Sequence, residues 1–424
     1  MMRQFIDIFN FVIFIVFTLM YAYQFVYAFI GFIYRKPTDS DYVPKAFHKF
    51  GIIIAARNES AVIGALIESI RNQNYPKECL DVFVIADNCT DDTADVARQH
   101  GAFTYERQDK TAVGKGYALD FLFKKMMEDN LFNNYEGFCV LDADNLLDEN
   151  FMAEMNKMFD RGHRILTSYR NSKNYGANWI SAGYGLWFMR EARFLNNPRM
   201  RLGASCAISG TGFLVHHDII EKNNGWKHHL LTEDIEFTID SVIHGEKVGY
   251  CDGAILYDEQ PTDMRQSWTQ RLRWAKGFYQ VIAHYGIKLW GNIFAGKNKR
   301  MSSFDMFMTV APAYLVTVLT LCINFVVFIA ATLFLHDGQL AYATGMAMLS
   351  ALGSFYGIFC LMGMLTLVTE WKKIKCTPAK KIWYAFLFPF FLFTYVPISV
   401  IALFKRVVWK PIVHTDVKTL DEVR

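Results

Sequence analysis

The sequence has no Cys-x-x-Cys pair, no GxxxxGK[ST] phosphate loop and no Lys/Arg block interleaved with aromatics in its polar part. Each absence removes a class of function. Eight cysteines (79, 89, 139, 206, 251, 322, 360 and 376) without metal-ligand spacing read as free thiols of a reducing compartment. His216-His217 and His228-His229 have no carboxylate or Cys at zinc-like spacing and read as loop histidines. The net charge of +3 is too slight for a nucleic-acid partner. Charge is missing altogether from four stretches, 8–33, 307–335, 338–369 and 382–404. A transporter would be expected to carry ionisable groups along its path, and these runs have none.

What is present follows from the same four stretches. Each exceeds the ~20 residues that a helix needs to cross the hydrocarbon core, and with 52% hydrophobic residues, 37 of them Phe, the chain reads as an integral membrane protein of the lipid bilayer. The first run is too long for a signal peptide and has only Arg3 before it, so it reads as a retained anchor. Arg35, Lys36, Lys45 and Lys49 follow it, which places the amino terminus outside and the long middle segment in the cytoplasm. Three further crossings would put the tail outside, yet Lys405, Arg406 and Lys410 argue the other way. Pro389 and Pro397 leave the last run kinked or re-entrant.

At 424 residues, with ~150 residues per domain, there is room for two or three units. From about 50 to 300 short apolar runs alternate with amphipathic stretches, the mark of an α/β domain with a largely parallel sheet. Strands are expected at 51–55, 82–86, 102–105, 138–141 and 165–168, and helices at 59–72, 92–100, 114–128 and 149–160. In such folds ligands gather at the carboxyl ends of strands, and the polar clusters fall there.

Ala56-Arg57-Asn58-Glu59 follows the first strand, and Asp87-Asn88-Cys89-Thr90-Asp91-Asp92 the second. Asp91 or Asp92 suits a helix cap; Asp87, at the strand terminus, suits a base or a ribose hydroxyl. Gly114-Lys115-Gly116 opens a helix, where free N–H groups and the dipole favour phosphate. Asp142 and Asp144 end the fourth strand, a spacing that serves either a surface turn or one hard divalent cation. Thr232-Glu233-Asp234 starts a helical stretch at 235–243, so it can cap that helix and also aim a carboxylate into the cleft. Gln270, Arg273 and Trp274 lie on an amphipathic stretch from 264 to 290, one turn apart.

The succession AARNE, ADNCTDDT, GKGYAL, DADN, TED and QRLRW, over about residues 50–277, resembles the membrane-bound processive members of glycosyltransferase family 2. That group includes bacterial cellulose, hyaluronan and poly-N-acetylglucosamine synthases. The resemblance implies a GT-A-type, Rossmann-like α/β fold and an inverting, metal-dependent enzyme. It would transfer sugar from a UDP-sugar to a growing β-linked polysaccharide, or a single sugar to a lipid or short glycan. It further implies that Glu59 and Asp87 hold the uridine and that Lys115 and Asp142 lie by the nucleotide. Asp144 would bind Mg²⁺ or Mn²⁺, and Asp234 would be the general base. Gln270 and Arg273 would contact the diphosphate, while Trp274 stacks on an acceptor sugar above Gly210 and Thr211. Trp179, Trp187 and Phe188 are candidates to line the same path. The expected organisation is an anchor (1–36), a cytoplasmic catalytic domain (37–262), an interfacial segment (263–304), a membrane region of about three spans (305–404) and a tail (405–424). An accessory export or regulatory subunit is compatible with this layout.

Overall fold

In a computed structural model that describes residues 2–34, 41–295, 299–311, 314–409, 414 and 417–424, the polar region builds one eight-stranded sheet. Its strands are β1 (Phe50–Ala56), β2 (Leu80–Asp87), β3 (Phe103–Arg107), β4 (Gly137–Asp142), β5 (Leu146–Leu147), β6 (Ile165–Ser172), β7 (Phe213–His216) and β8 (Val248–Asp258). Their order is β3-β2-β1-β4-β7-β6-β8-β5. The first four pair in parallel, as the alternating pattern predicts. The second half does so only between β6 and β8. β7 runs antiparallel to β4 and to β6, and β5 antiparallel to β8, so the sheet is mixed.

Alternation along the strands sorts the core into two layers. Ile53, Phe83, Ile85, Phe138 and Val140 pack with the helix Lys115–Glu128. Ile52, Ile54, Val84, Cys139 and Leu141 pack with the helices Ile63–Arg71 and Phe151–Asp160. The first layer continues through Tyr184, on the helix Trp179–Glu191, into Phe388 and Phe391 of the apolar helix Pro378–Phe393. The catalytic-type domain and the apolar helices therefore share one core. No Cβ fits at Gly183, where Phe391 closes on the backbone.

Among the described residues, four helical segments are long and apolar enough to cross a membrane: Met2–Ile33, Leu315–Leu333, Gly338–Glu370 and Pro378–Phe404. The run 307–335, expected as one helix, is divided. The helix Arg300–Val310 stops at Ala311, whose extended backbone (ψ 131°) is what a following proline demands. The last run also bends, into Pro378–Phe393 and Tyr395–Phe404. Lys380 Nζ donates to the Gly176 carbonyl (3.4 Å) and Lys276 Nζ to the Ala402 carbonyl (3.1 Å), so both ends of this run lie against the polar domain. Arg3 Nη1 donates to Gln339 Oε1 (2.8 Å) at the opposite end of the helical bundle. Arg35, Lys36 and Lys410, used above for orientation, lie outside the described residues.

Arg199 and Asp305 form the deepest ion pair at the junction between domain and helices. Nε and Nη2 reach the two carboxylate oxygens at 2.7 and 2.9 Å, both side chains are buried, and Tyr27 OH donates to the same carboxylate at 2.9 Å. Asp305→Ala would leave that guanidinium buried without its partner, at a cost of ~3–5 kcal/mol. A large fall in the melting temperature of the detergent-solubilised protein is expected, with much of it restored in Arg199→Met/Asp305→Leu. Equal stability of Asp305→Ala and wild type would contradict the pairing.

Candidate active site

The carboxyl ends of β1, β2 and β4 meet the start of the helix Glu233–His244 and the long helix Met264–Ala295 around a cavity of about 530 Å³. Glu59, Asp87, Lys115, Asp142, Asp144, Gly210, Asp234, Gln270, Arg273 and Trp274 all line it. Thr211 does not. Its hydroxyl donates to Asn145 Oδ1 (2.5 Å) and accepts from the Asp142 N–H (2.8 Å), so it is a buried brace under the Asp142 turn and not part of an acceptor floor. Trp187 and Phe188 also line the cavity, whereas Trp179 is not on its wall.

The loops that present these groups have local causes. Asn58 and Asn88 follow β1 and β2 with φ of 58° and 54°, a conformation Asn tolerates better than most residues. Each then secures its turn: Asn58 Oδ1 accepts from Thr90 N (2.8 Å), and Asn88 Nδ2 donates to Asp87 Oδ1 (3.0 Å) and the Asp109 carbonyl (3.0 Å). Gly116 is forced, because a Cβ there would collide with the His228 carbonyl. Asn145, which Thr211 holds from one side, donates to Asp258 Oδ1 at 2.8 Å. Asp258 in turn pairs with Arg170, whose Nη1 donates to the Ser209 carbonyl at 2.8 Å.

Asp142 and Asp144 have different partners. Asp142 receives Lys115 Nζ at 2.5 Å, and the same ammonium reaches the Gly210 carbonyl at 2.8 Å. Asp144, 3% exposed, accepts from Glu259 N (3.2 Å) and has His414 Nε2 3.8 Å away. His414 Nδ1 lies 3.0 Å from both oxygens of Glu59. Asp87 is held by Arg107 at 2.7 Å. Gln270 Oε1 is buried with no hydrogen-bond donor, and Arg273 Nη1 donates to the Leu231 carbonyl at 2.9 Å. Trp274 stands edge-on to Tyr184 and Phe188 at 5.8 and 6.2 Å. The carboxylate of Asp144 is a hard oxygen donor that fits a divalent cation, and the charged His414 beside it takes the cation's place in this structure. Among the described residues the tightest ligand-type cluster is elsewhere, at His216, His217 and Asp218. There His217 Nε2 is already 2.8 Å from Asp218, and the His216 ring stacks on Phe159 at 5.3 Å. Contrary to the expectation from the sequence, these two are not loop histidines, because His216 ends β7 and His217 opens the helix His217–Lys222; His228 and His229 do lie in a loop.

Crowding governs the charges. Burial pushes Asp234 upward, with Lys115 and Arg273 pulling it back. Glu233 beside it is pushed up to about 7 by burial and by the Asp234 charge. Burial also carries Glu59 up to about 7 against the pull of His414. His414 itself, although burial opposes its charge, is held up to about 10 by Asp144 and Glu59. We take the His414–Glu59 contact as a charged pair, because each partner supplies what the other lacks. Sequence reasoning missed His414, Arg170 and Asp258. The tail has no periodicity to mark it, and a β6–β8 ion pair has no local spacing.

Comparison with known proteins agrees with this architecture. The profile of "Glycosyltransferase like family 2" matches residues 48–277. A probable glycosyltransferase, YdaM, of Bacillus subtilis is 27% identical over 62% of this chain and 62% of its own length. The beta-monoglucosyldiacylglycerol synthase of a Nostoc species is 25% identical over 62% of this chain and 55% of its own. The poly-beta-1,6-N-acetyl-D-glucosamine synthase of Staphylococcus epidermidis is 23% identical over 70% of this chain and 71% of its own. The chain thus spans only about three fifths of the first of these relatives. Among solved structures, a mannosyltransferase from Pyrobaculum calidifontis in complex with GDP-Man and Mn²⁺ superposes with a TM-score of 0.54 at 15% identity, over 93% of this chain and 99% of that one, a likeness of fold.

The crowding at Glu233 has a measurable sign. A carboxyl whose folded value lies near 7, above its ordinary 4.5, contributes full stability when protonated and loses it as pH rises through that window. Glu233→Gln removes the loss. Its stability should exceed that of wild type by an amount that grows from pH 5.5 to 8.5, reaching on the order of 1–3 kcal/mol, and its melting temperature should rise in step. A difference independent of pH would show that Glu233 is not held protonated by the fold.

Proposed function

The chain belongs to the glycosyltransferase like family 2, and from that premise we propose that it is an inverting, metal-dependent enzyme that transfers sugar from a UDP-sugar to an acceptor carried by the membrane. The observation that carries this reading is the position of Asp234. It lies in the same cavity as the nucleotide-side carboxylates and as Trp274, and that cavity continues between the apolar helices to Tyr21, Phe359 and Tyr395.

In this reading Glu59 and Asp87 receive the uridine, and Lys115 turns from Asp142 and the Gly210 carbonyl toward the diphosphate. Arg273 and the Gln270 amide nitrogen face the same phosphates, which leaves the orphaned Gln270 Oε1 for a sugar hydroxyl. Mg²⁺ or Mn²⁺ held by Asp144, with Asp142 nearby and the charged His414 displaced, would supply the charge that neutralises a leaving nucleoside diphosphate. Asp234 takes the proton from the acceptor hydroxyl. The hydroxyl oxygen bonds to the anomeric carbon as the bond to the diphosphate breaks, its electron pair staying on the β-phosphate. With one base and no carboxylate nucleophile, the anomeric configuration inverts.

Repeated transfer to a β-linked polysaccharide is the reading that the Gln270–Arg273–Trp274 segment supports. A second reading, one transfer to a lipid, is favoured by the apolar wall that Phe359, Phe391 and Leu392 give to the cavity. In either case the last apolar run, with both ends against the domain, would re-enter and not cross, leaving the tail on the catalytic side, which the positive-inside rule makes the cytoplasm.

The test is UDP release from a panel of UDP-sugars with Mg²⁺ or Mn²⁺, followed by digestion of the product with linkage-specific hydrolases. Asp234→Asn should lower the rate by ~10²–10⁴-fold, the usual worth of a general base, and chelation should abolish it. Turnover of Asp234→Asn at the native rate would remove Asp234 from its role, and a product that never exceeds one added sugar would decide for the lipid.

A further inference from the structure

Among the described residues, Arg190 is a cation on the cavity wall that the fold leaves short of acceptors. It lies on the helix Trp179–Glu191, where that helix approaches the amino-terminal membrane helix. Its Nη2 has a long contact with Gln24 Oε1, 3.4 Å, and its Nε is buried with no hydrogen-bond partner. The nearest ring is that of Trp187, 6.0 Å from Cζ.

Of the other cavity arginines, all but Arg57 have polar partners. Arg170 pairs with Asp258 and Arg199 with Asp305. Arg271 donates to the Phe391 carbonyl (3.0 Å) and Thr394 Oγ1 (2.7 Å), and Arg273 to the Leu231 carbonyl. Arg57 lies over Trp409, 5.1 Å from the ring centroid. Glu191, next in sequence, does not close an ion pair with Arg190; its Oε1 accepts from Ser209 Oγ. Burial accordingly holds the Arg190 guanidinium below its ordinary value, with the Glu191 charge only partly offsetting.

A guanidinium left short of acceptors in a low-dielectric cavity is a fork suited to phosphate. The place selects the kind of phosphate. Gln24, Tyr23 and Tyr21 bring the anchor helix to one side of it, and Phe359, Phe391 and Leu392 supply apolar wall, while Asp234 lies in the same space. From this juxtaposition we propose that Arg190, with Gln24, forms an acceptor subsite for the phosphodiester headgroup of a hydroxyl-bearing anionic lipid, whose acyl chains lie among the apolar helices. The lipid hydroxyl then bonds to the anomeric carbon, its proton passes to Asp234, and the nucleoside diphosphate departs with the bonding electron pair. This rests on the reading of Asp234 as the base, and it names the acceptor of the first transfer whether or not further sugars follow.

The full chain in neutral detergent micelles is given the best UDP-sugar of the panel and either phosphatidylglycerol or diacylglycerol of the same acyl chains. Wild type should show a KM for phosphatidylglycerol about tenfold below that for diacylglycerol, as one charge-assisted contact would give. Arg190→Gln should erase that preference while the KM for UDP-sugar stays unchanged, and Arg190→Lys should restore part of it. Equal use of both lipids by wild type, glycosylation of diacylglycerol alone, or a parallel loss with both lipids in Arg190→Gln would overturn the subsite. So would glycosylation of neither lipid in a wild-type protein that still releases UDP. In those cases UDP release that remains sensitive to Asp234→Asn keeps the reading of the catalytic base intact.

Discussion

A crowd of carboxylates in one cavity, each in need of a counter-charge, is the condition under which the rest of this structure is assembled. Glu59, Asp87, Asp142, Asp144, Glu233, Asp234 and Asp258 open on one cavity, and the fold answers with Arg107, Lys115, Arg170, Arg273 and His414. In a low-dielectric cleft, like charges this close oppose one another's ionisation. The pairings decide which groups stay charged. Asp142 is covered by Lys115 and Asp87 by Arg107, while Glu233 and Asp234 share only the more distant influence of Lys115 and Arg273. The group with the least complete neutralisation is the one proposed above to take a proton, and the better-covered carboxylates are those assigned to the nucleotide.

How much of this the sequence disclosed depends on the range over which each feature is encoded. The parallel half of the sheet was legible because each strand and its following helix form a local unit, with period 2 turning to period 3.6. β7, four residues long, is too short to announce itself, and β8 runs through Asp252 and Gly253, which break an apolar reading. Its register against β6 also shifts at Ser168/Tyr169. Most of the candidate site residues sit at strand ends or on the long helix Met264–Ala295, where position along the chain predicts position in space, and the structure gathers them. Thr211 departs from this. Its hydroxyl is turned inward by Asn145, a partner 66 residues away that no spacing reveals. Arg190 was invisible for a different reason, because its interest lies in the partners it lacks.

The division between domain and membrane is equally a matter of shared packing. Tyr184 touches Phe391 edge-on at 4.9 Å and Trp274 at 5.8 Å, so one side chain of the domain contacts both an apolar helix and the ring expected over an acceptor. Arg271, next but one to Arg273, is anchored to Phe391 and Thr394 at the bend of the last apolar run. A helix held at both faces in this way cannot shift its catalytic face without disturbing the bundle. The acceptor side of the cavity is therefore as rigid as the apolar helices that wall it.

The donor side is built on a different footing. Its last cation, His414, comes from the chain's tail, which also reaches the domain through Arg424 Nη2 on Asp148 (2.8 Å) and through Lys418 Nζ on the Lys173 carbonyl (3.1 Å). Val423 and Leu420 add a small apolar contact with Leu146 and Tyr257, on the strand pair that follows the Asp142 turn. Glu59 and Asp144 thus have their charge offset by a residue from the tail, whereas Lys115 and Arg170 issue from the sheet and its helices. Two carboxylates of the same cleft differ from the rest in where their counter-charge comes from, and those two are the ones assigned to the uridine and the cation.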